Sequence, residues 1–587
     1  MATSASILPR GQSDAPPSAP EPTPLPGIEA ALAELAATKG LWARLALREK
    51  LAYLTALRSR TRAHARAWAE TAAQAKGVAA SPLAGEEWLS GPWAMLYALN
   101  RYERTLRALE RTGSIVFPSD ALSERRDGQL VVRVFPQTAY DRILLSGVTA
   151  DVWMQPGITA ENLQRHIAPF YRQVDPPGRV SLVLGAGNIA AIPPLDVLYL
   201  MFNFGDVCIL KMNPVNAYLG PIFEQIFAPL IEGHFLRIVY GAGDVGSYLS
   251  RHPSVEAVHI TGSARTHDLI VWGNDDPAQR AGRTPQLQKP ITSELGNVSP
   301  TIVVPGAWSD ADIAFQAEQI ATQKLHNGGF NCIASQVLIL PGDWPQTPQL
   351  LAALEHVLRA APTRPAYYPG AEDRAQRLIA GASPEQNSGA SQPRACTLLH
   401  LDATDATQGL FREEAFCNVL AYVELPGDAG TFLHAAVAFA NDRLHGTLGA
   451  NLIVDPRTQT RHASELDAAI AALRYGCVAV NTWTGVGFLL TEAPWGAFPG
   501  ETIDDVRSGI GQVHNAFFFS AAQKSVVRGP FAPFPRSLRN GEYTLLPKPP
   551  WFITNRVAHR LGPALCDFEA APSPFAAARV AAIAMQG

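Results

Sequence analysis

The sequence predicts an α/β protein built on a doubly wound parallel sheet. From residue 179 onward, apolar strand-like runs that end in glycine alternate with helical stretches. The alternation restarts near residue 299 and continues to about 482. Strands joined through helices are parallel, because each connection must cross a sheet face to return, and ligands then sit at the carboxyl ends of the strands.

The elements follow in order. Residues 28–76 read as helices, since "LALREKLAYLTALRSRTRAHARAWAETAAQ" spaces Leu, Ala and Trp at threes and fours with Arg and Glu between them. Residues 84–112 repeat the pattern. "GQLVVRVFP" and "YDRILLSGV", within 128–148, read as an exposed β ribbon suited to subunit contact. "RVSLVLGAG" (179–187), "DVCILKMNP" (206–214), "FLRIVYGAG" (235–243) and "AVHITGS" (257–263) read as buried strands. Helices "PPLDVLYLMFNF", "YLGPIFEQIFAPLI" and "DVGSYLSRH" separate them, the prolines falling where a first helical turn tolerates them. The second unit holds "SPTIVVPGA", "SQVLILPG", "VLAYVEL", "TLGANLIVD" and "CVAVNT". A polar surface excursion is expected over 369–395, and an aromatic, proline-rich tail begins at 512.

Composition narrows the function classes. Charged residues make up 17% and the net charge is −4, so there is no basic excess to hold a nucleic-acid backbone. Six widely spaced cysteines suggest neither a zinc site nor a disulfide framework, and no metal is implied. The first 27 residues lack the charged-then-apolar order of a signal peptide and read as a disordered arm. The most apolar stretch carries Asp196 and two prolines, which argues against a membrane span. A cytoplasmic protein is the resulting expectation.

Several stretches can carry chemistry, and each has a plainer alternative. "GAGDVG" at 241–246 fits G-x-G-x-x-G after a strand, but a tight turn explains it equally well. "ITGS" (260–263) can meet a phosphate at a helix start or merely cap that helix. Lys211 ends a buried strand, where an unpaired ammonium is costly, so it must reach water or an anionic or hydroxyl-bearing ligand. Glu294, Glu413 and Glu414, taken singly, are ordinary surface carboxylates. A lone Cys332 is ordinarily a small buried apolar residue.

Taken in order, these stretches resemble the aldehyde dehydrogenase superfamily: "GAGN" with Asn188, "ILKMNP", "ITGS", "SELGN", "NGGFNC" and "EEAFCN". "SGIGQVHNAFFFSAAQKSVV" is similar to the ending of the class 3, fatty-aldehyde branch. The resemblance implies a Rossmann-type dinucleotide-binding domain (28–127 with 150–293), a catalytic domain (294–507) and a small oligomerisation ribbon (128–149 with part of 510–530). A C-terminal extension (531–587) completes the chain. It implies Cys332 as nucleophile, Asn188 and the Cys332 backbone N–H as oxyanion donors, and Glu294 as the base that hydrolyses the thioester. The implied cofactor contacts are Lys211, Gly241, Gly243, Gly246, Thr261, Gly262, Ser263, Leu295, Glu414 and Phe416. The implied partners are a small-molecule aldehyde, apolar and either long-chain or aromatic, and a second copy in a homodimer. A membrane-surface contact by the tail has no support in the sequence.

The chain departs from the family pattern around the cleft. "GAGN" replaces the usual P-W-N, Asn297 replaces a glycine, and Phe330 stands where glutamine is usual. Pro214 stands where many NAD-preferring members carry glutamate, leaving NAD and NADP both open. Two alternatives also stay open: a catalytically weak dinucleotide-binding protein with a structural or regulatory role, and a CoA-acylating enzyme. Retention of Asn188, Cys332 and Glu294 counts against the first, and Glu294 against the second.

Overall fold

The computed structural model describes residues 18–587 apart from 275, 277–279, 281 and 383–394. Its core is two sheets. The smaller has six strands in the order 509–510, 291–294, 257–261, 180–184, 207–211 and 236–239. All pairs are parallel except that of 509–510 with 291–294. The strand Val180–Leu184 is buried along its whole length, as a strand covered on both faces must be. Because the chain winds outward from it in both directions, a crevice opens at the carboxyl ends of 180–184 and 257–261.

The larger sheet has ten strands. Strands 397–400, 419–425, 335–341, 299–303, 449–453, 477–480 and 522–528 run parallel. Strands 149–154, 130–135 and 122–124 extend it in antiparallel fashion. The ribbon therefore joins the larger sheet of its own chain. Asp151, buried in it, accepts from Arg133 and, at 3.0 Å, from Arg528.

Three expectations need correction. "YDRILLSGV" is not a ribbon strand: Ala139–Leu144 is a helix, because Thr138 and Asp141 form a reciprocal cap at its start. The second ribbon arm is Thr149–Met154, which the expected boundary placed in the dinucleotide-binding part. The polar excursion contains a helix, Ala371–Ala380, whose buried Leu378 pins it to the sheet, while 383–394 lies outside the described residues. The expected disordered arm also lies outside them as far as residue 17; beyond it, Thr23 donates its backbone N–H to Tyr240 O and the first helix begins at Leu25.

The C-terminal extension forms two helices, Ala558–Ala570 and Pro574–Ala584. The first lies tightly on Ala84–Trp88. A Cβ at Gly85 would sit 2.4 Å from the Ala558 carbonyl carbon, and one at Gly562 would sit 2.3 Å from Trp88 Cβ, so both glycines are demanded by close approach. Among the described residues no helix is long and apolar enough to cross a membrane.

Candidate active site

The site lies at the seam between the sheets. Helix Asp310–Leu325 ends at His326, and the chain turns through Asn327, Gly328 and Gly329, all with positive φ, before Cys332 and strand Ser335–Pro341. A Cβ at Gly329 would meet Cys417 O at 2.8 Å, so the loop closes only with glycine there. The turn presents Cys332 to two cavities at once, the large crevice and a small apolar pocket. All six cysteines are free thiols; the other five are buried and only Cys332 is partly exposed.

Glu294 arrives from the other sheet as the last residue of its strand, and Cys332 Sγ donates to its Oε1 at 3.2 Å. Burial raises the Glu294 carboxyl to about 7, with the nearby Asp196 charge pushing the same way and the Trp495 indole and Cys332 thiol opposing. A carboxyl at about 7 can both take and release a proton near neutrality. The Cys332 thiol is pushed well above its usual range, first by burial and then by the Glu294 and Glu414 charges; its own backbone N–H opposes the rise. Burial and these charges both favour the thiol over the thiolate.

Asn188 follows the strand Val180–Leu184 and is buried. Its side-chain amide donates to Phe330 O at 2.9 Å, and the second N–H of an amide remains for an oxyanion. It lines the same crevice as Cys332 and Glu294.

A buried ionic latch sets the loop, and no sequence motif had singled it out. Lys76 Nζ donates to Glu87 (2.8 Å), Asn188 O (3.0 Å) and Asn327 Oδ1 (3.0 Å). Glu86 accepts from Asn327 N and from both terminal nitrogens of Arg364. The Arg364 charge holds the Glu86 carboxyl down to about 2 despite its burial. Tyr367 adds hydrogen bonds to Asn188 O and Asn327 Oδ1. Two N-terminal helices thus reach across the molecule to fix both the turn before Cys332 and Asn188.

The crevice has a volume of about 1030 Å³. Lys211, Gly243, Gly246, Thr261, Gly262, Ser263, Glu294, Cys332, Glu414 and Phe416 all line it. Gly241 and Leu295 do not: Gly241 makes the turn, where a Cβ would strike Val245, and Leu295 is fully buried with its N–H donated to Ser508 O. Ser263 caps the helix Ala264–Trp272, so the plainer alternative for that motif is realised without emptying the crevice. Glu413 faces solvent and pairs with Arg377.

A dinucleotide fits this lining. Glu414 is half-buried, with an Oε1 shielded from solvent that has no hydrogen-bond partner, and desolvation lifts its carboxyl to about 8. A buried oxygen of that kind calls for a donor, and a ribose hydroxyl is one. Burial lowers the Lys211 ammonium to about 8 at the strand end, again calling for an oxygen-rich ligand. Gly243 has open space where a Cβ would be, and a Cβ at Gly262 would meet only Ile260 of its own chain segment, so a ligand can approach the backbone closely at both.

The motif departures have structural causes. Asn297 is buried, and its amide joins Ser299 Oγ to Gly449 O, bridging the two strands. Phe330 packs with Tyr367, Tyr368 and Phe416 in an aromatic wall beside the turn that leads to Cys332.

The aldehyde dehydrogenase family profile matches residues 175–496, more than half of the chain. Aminoaldehyde dehydrogenase 1, peroxisomal, of Pisum sativum is 26% identical over 403 residues, 63% of this chain and 71% of that protein. Aminoaldehyde dehydrogenase 2, peroxisomal, of Malus domestica is 27% identical over 57% of this chain and 59% of its own length. Among solved structures, NADP-dependent glyceraldehyde-3-phosphate dehydrogenase of Bacillus halodurans, complexed with NADP, aligns with a TM-score of 0.57 at 17% identity, covering 85% of this chain and 90% of that one. A variant of aldehyde dehydrogenase C of Pseudomonas syringae, with NAD+ and octanal, aligns at 0.54 and 18% identity, covering 86% and 89%.

Proposed function

The chain belongs to the aldehyde dehydrogenase family, whose members use NAD or NADP, and on that premise we propose that it oxidises an apolar aldehyde to the free carboxylic acid. The observation that carries this reading is the Cys332–Glu294 contact at the junction of a crevice and an apolar pocket. A thiol held against a carboxylate can pass its proton to Glu294 as sulfur attacks the carbonyl. The resulting oxyanion meets the Cys332 backbone N–H and the Asn188 amide. The cofactor supplies the hydride acceptor. The chain's part is to hold the thiohemiacetal with its C–H toward the crevice while Lys76 and Glu86 fix the turn. Loss of hydride leaves a thioester on Sγ. Glu294 gives up that proton to solvent through the crevice and then takes one from water, whose oxygen attacks the thioester, expels the thiolate and releases the acid; the carboxyl returns its new proton to the sulfur.

Glu294 supports hydrolysis over transfer to CoA, because a base at the thioester makes water the competent nucleophile. Glu414 is the proposed ribose partner and Lys211 the proposed partner at the adenosine side. The acyl pocket is lined by Leu89, Ile189, Val486, Phe488, Leu489 and Trp551, among others, and its volume is about 40 Å³. That admits about three water-sized groups, so the lining supports an apolar acyl chain and narrows the long-chain or aromatic expectation to a short one. A homodimer remains the proposed assembly, since strand 122–124 ends the ten-stranded sheet with an open outer edge. Sedimentation at twice the chain mass supports it, and at the chain mass refutes it.

The test is an aldehyde panel with NAD and with NADP, following reduced cofactor by absorbance and the acid by mass spectrometry. Acid formed without CoA supports the reading. Product formed only with CoA overturns it in favour of acyl transfer, and no turnover with either cofactor favours a structural or regulatory role.

A further inference from the structure

The C-terminal extension places a wall in the acyl pocket. Trp551 is buried and lines the small pocket behind Cys332. It also lines a second apolar chamber of about 50 Å³, enclosed by Tyr140, Leu144, Leu561, Leu565 and Phe568 on the side away from the sulfur. Leu89, Val486 and Leu489 border both spaces as well, so the two lie on either side of one partition. Neither space is set up for a polar ligand along that shared border.

The segment carrying Trp551 is anchored. Lys548 Nζ and Thr554 Oγ1 both reach Glu318, at 2.8 and 2.5 Å, and Ile553 N donates to Thr322 Oγ1 at 3.2 Å. Phe552 stacks on Phe315 with ring centroids 5.3 Å apart. All four contacts are to the helix Asp310–Leu325, which ends at the nucleophile turn. The indole is thus held at a fixed distance from Cys332 by the same helix that positions the sulfur.

We infer that Trp551 is the specificity-determining residue for acyl chain length, a fixed partition that confines substrates to short apolar aldehydes and closes off a ready-made second chamber. This inference rests on the proposed aldehyde oxidation. Both faces of the partition are apolar, so removing it joins the spaces into one channel leading away from the sulfur. An alkyl chain entering that channel gains about fourfold in transition-state binding for each methylene buried.

The test is a homologous series of straight-chain aldehydes from propanal to dodecanal, measured as kcat/KM with the full-length protein and with Trp551→Ala. The parent is expected to favour the short members and to lose rate beyond them. The variant is expected to lose kcat/KM with the short members, whose wall is gone, and to gain tenfold or more with octanal and longer chains. Adding Leu565→Trp to Trp551→Ala refills the far chamber and is expected to reverse the gain. Should Trp551→Ala not fold, Trp551→Leu keeps an apolar side chain while opening the partition. An unchanged chain-length profile in a folded Trp551 variant overturns the inference, as does a parent that already prefers dodecanal. A parent inactive on every aldehyde refutes the proposed function instead, so the two failures are distinguishable.

Discussion

Glu294 is predicted to be costly to the fold and essential to turnover, and Glu294→Gln separates the two. The carboxyl is buried and its folded pKa is about 7, against an ordinary 4.5. Below about pH 4.5 it is neutral in both folded and unfolded chains and costs nothing. Between 4.5 and 7 the unfolded chain releases the proton while the folded chain retains it, so stability falls as pH rises. Above 7 the whole cost, about 3 kcal/mol, is present. The neutral amide escapes it. Glu294→Gln is therefore predicted to be more stable than the parent by up to about 3 kcal/mol at pH 8, with no gain at pH 4.5. Catalysis moves the other way: losing the base lowers kcat by roughly 10²–10⁴. The parent's kcat is expected to fall to half near pH 7 and further at lower pH, while the residual rate of the variant shows no such step. Stopped-flow absorbance of reduced cofactor reads the first turnover and the steady state, and chemical denaturation at the two pH values reads stability. A variant with kcat within threefold of the parent, or one less stable at pH 8, refutes the reasoning.

The other predictions concern the latch, the oxyanion donor and the cofactor contact. Lys76→Met leaves Glu87 buried without its cation and is expected to destabilise by about 3–5 kcal/mol by denaturant unfolding, with Lys76→Met/Glu87→Gln recovering part of it. Asn188→Ala is expected to lower kcat by roughly 10²–10³ with little change in cofactor affinity measured by calorimetry. Glu414→Gln is expected to weaken cofactor binding about tenfold. Because the Glu414 carboxyl sits at about 8 and a hydroxyl donor favours its ionised form, parental affinity should tighten as pH rises through 8, and the variant's should not.

Much of this was legible in the sequence because fully buried parallel strands read as apolar runs, and their carboxyl ends are where ligands gather. Val180–Leu184, Val207–Lys211 and Ala257–Thr261 fall where their apolar runs do, and Lys211, Thr261 and Glu294 end up on one crevice. The stretch 139–144 was misread because a short apolar run carries no clear period; the distinguishing feature was its cap, Thr138 with Asp141. The latch was invisible for another reason. Lys76 and Asn327 are 251 residues apart, and two adjacent glutamates in a helix read as solvated charge until the fold buries them. The same holds for Trp551, one tryptophan in a proline-rich tail whose partners lie in the first, middle and last parts of the chain. Of the ten expected cofactor contacts, Gly241 and Leu295 do not line the crevice, since a motif does not distinguish a residue that shapes a turn from one that faces the cavity.

The covalent step is the central claim, and intact-protein and peptide mass spectrometry tests it most directly. Parent protein mixed with excess short-chain aldehyde and oxidised cofactor, then quenched in acid within the first turnover, is predicted to carry one acyl group on the peptide containing Cys332. It should do so in step with one equivalent of reduced cofactor. Reduced cofactor formed with no acyl group on that peptide, or an acyl group on any of the five other cysteines, contradicts the account.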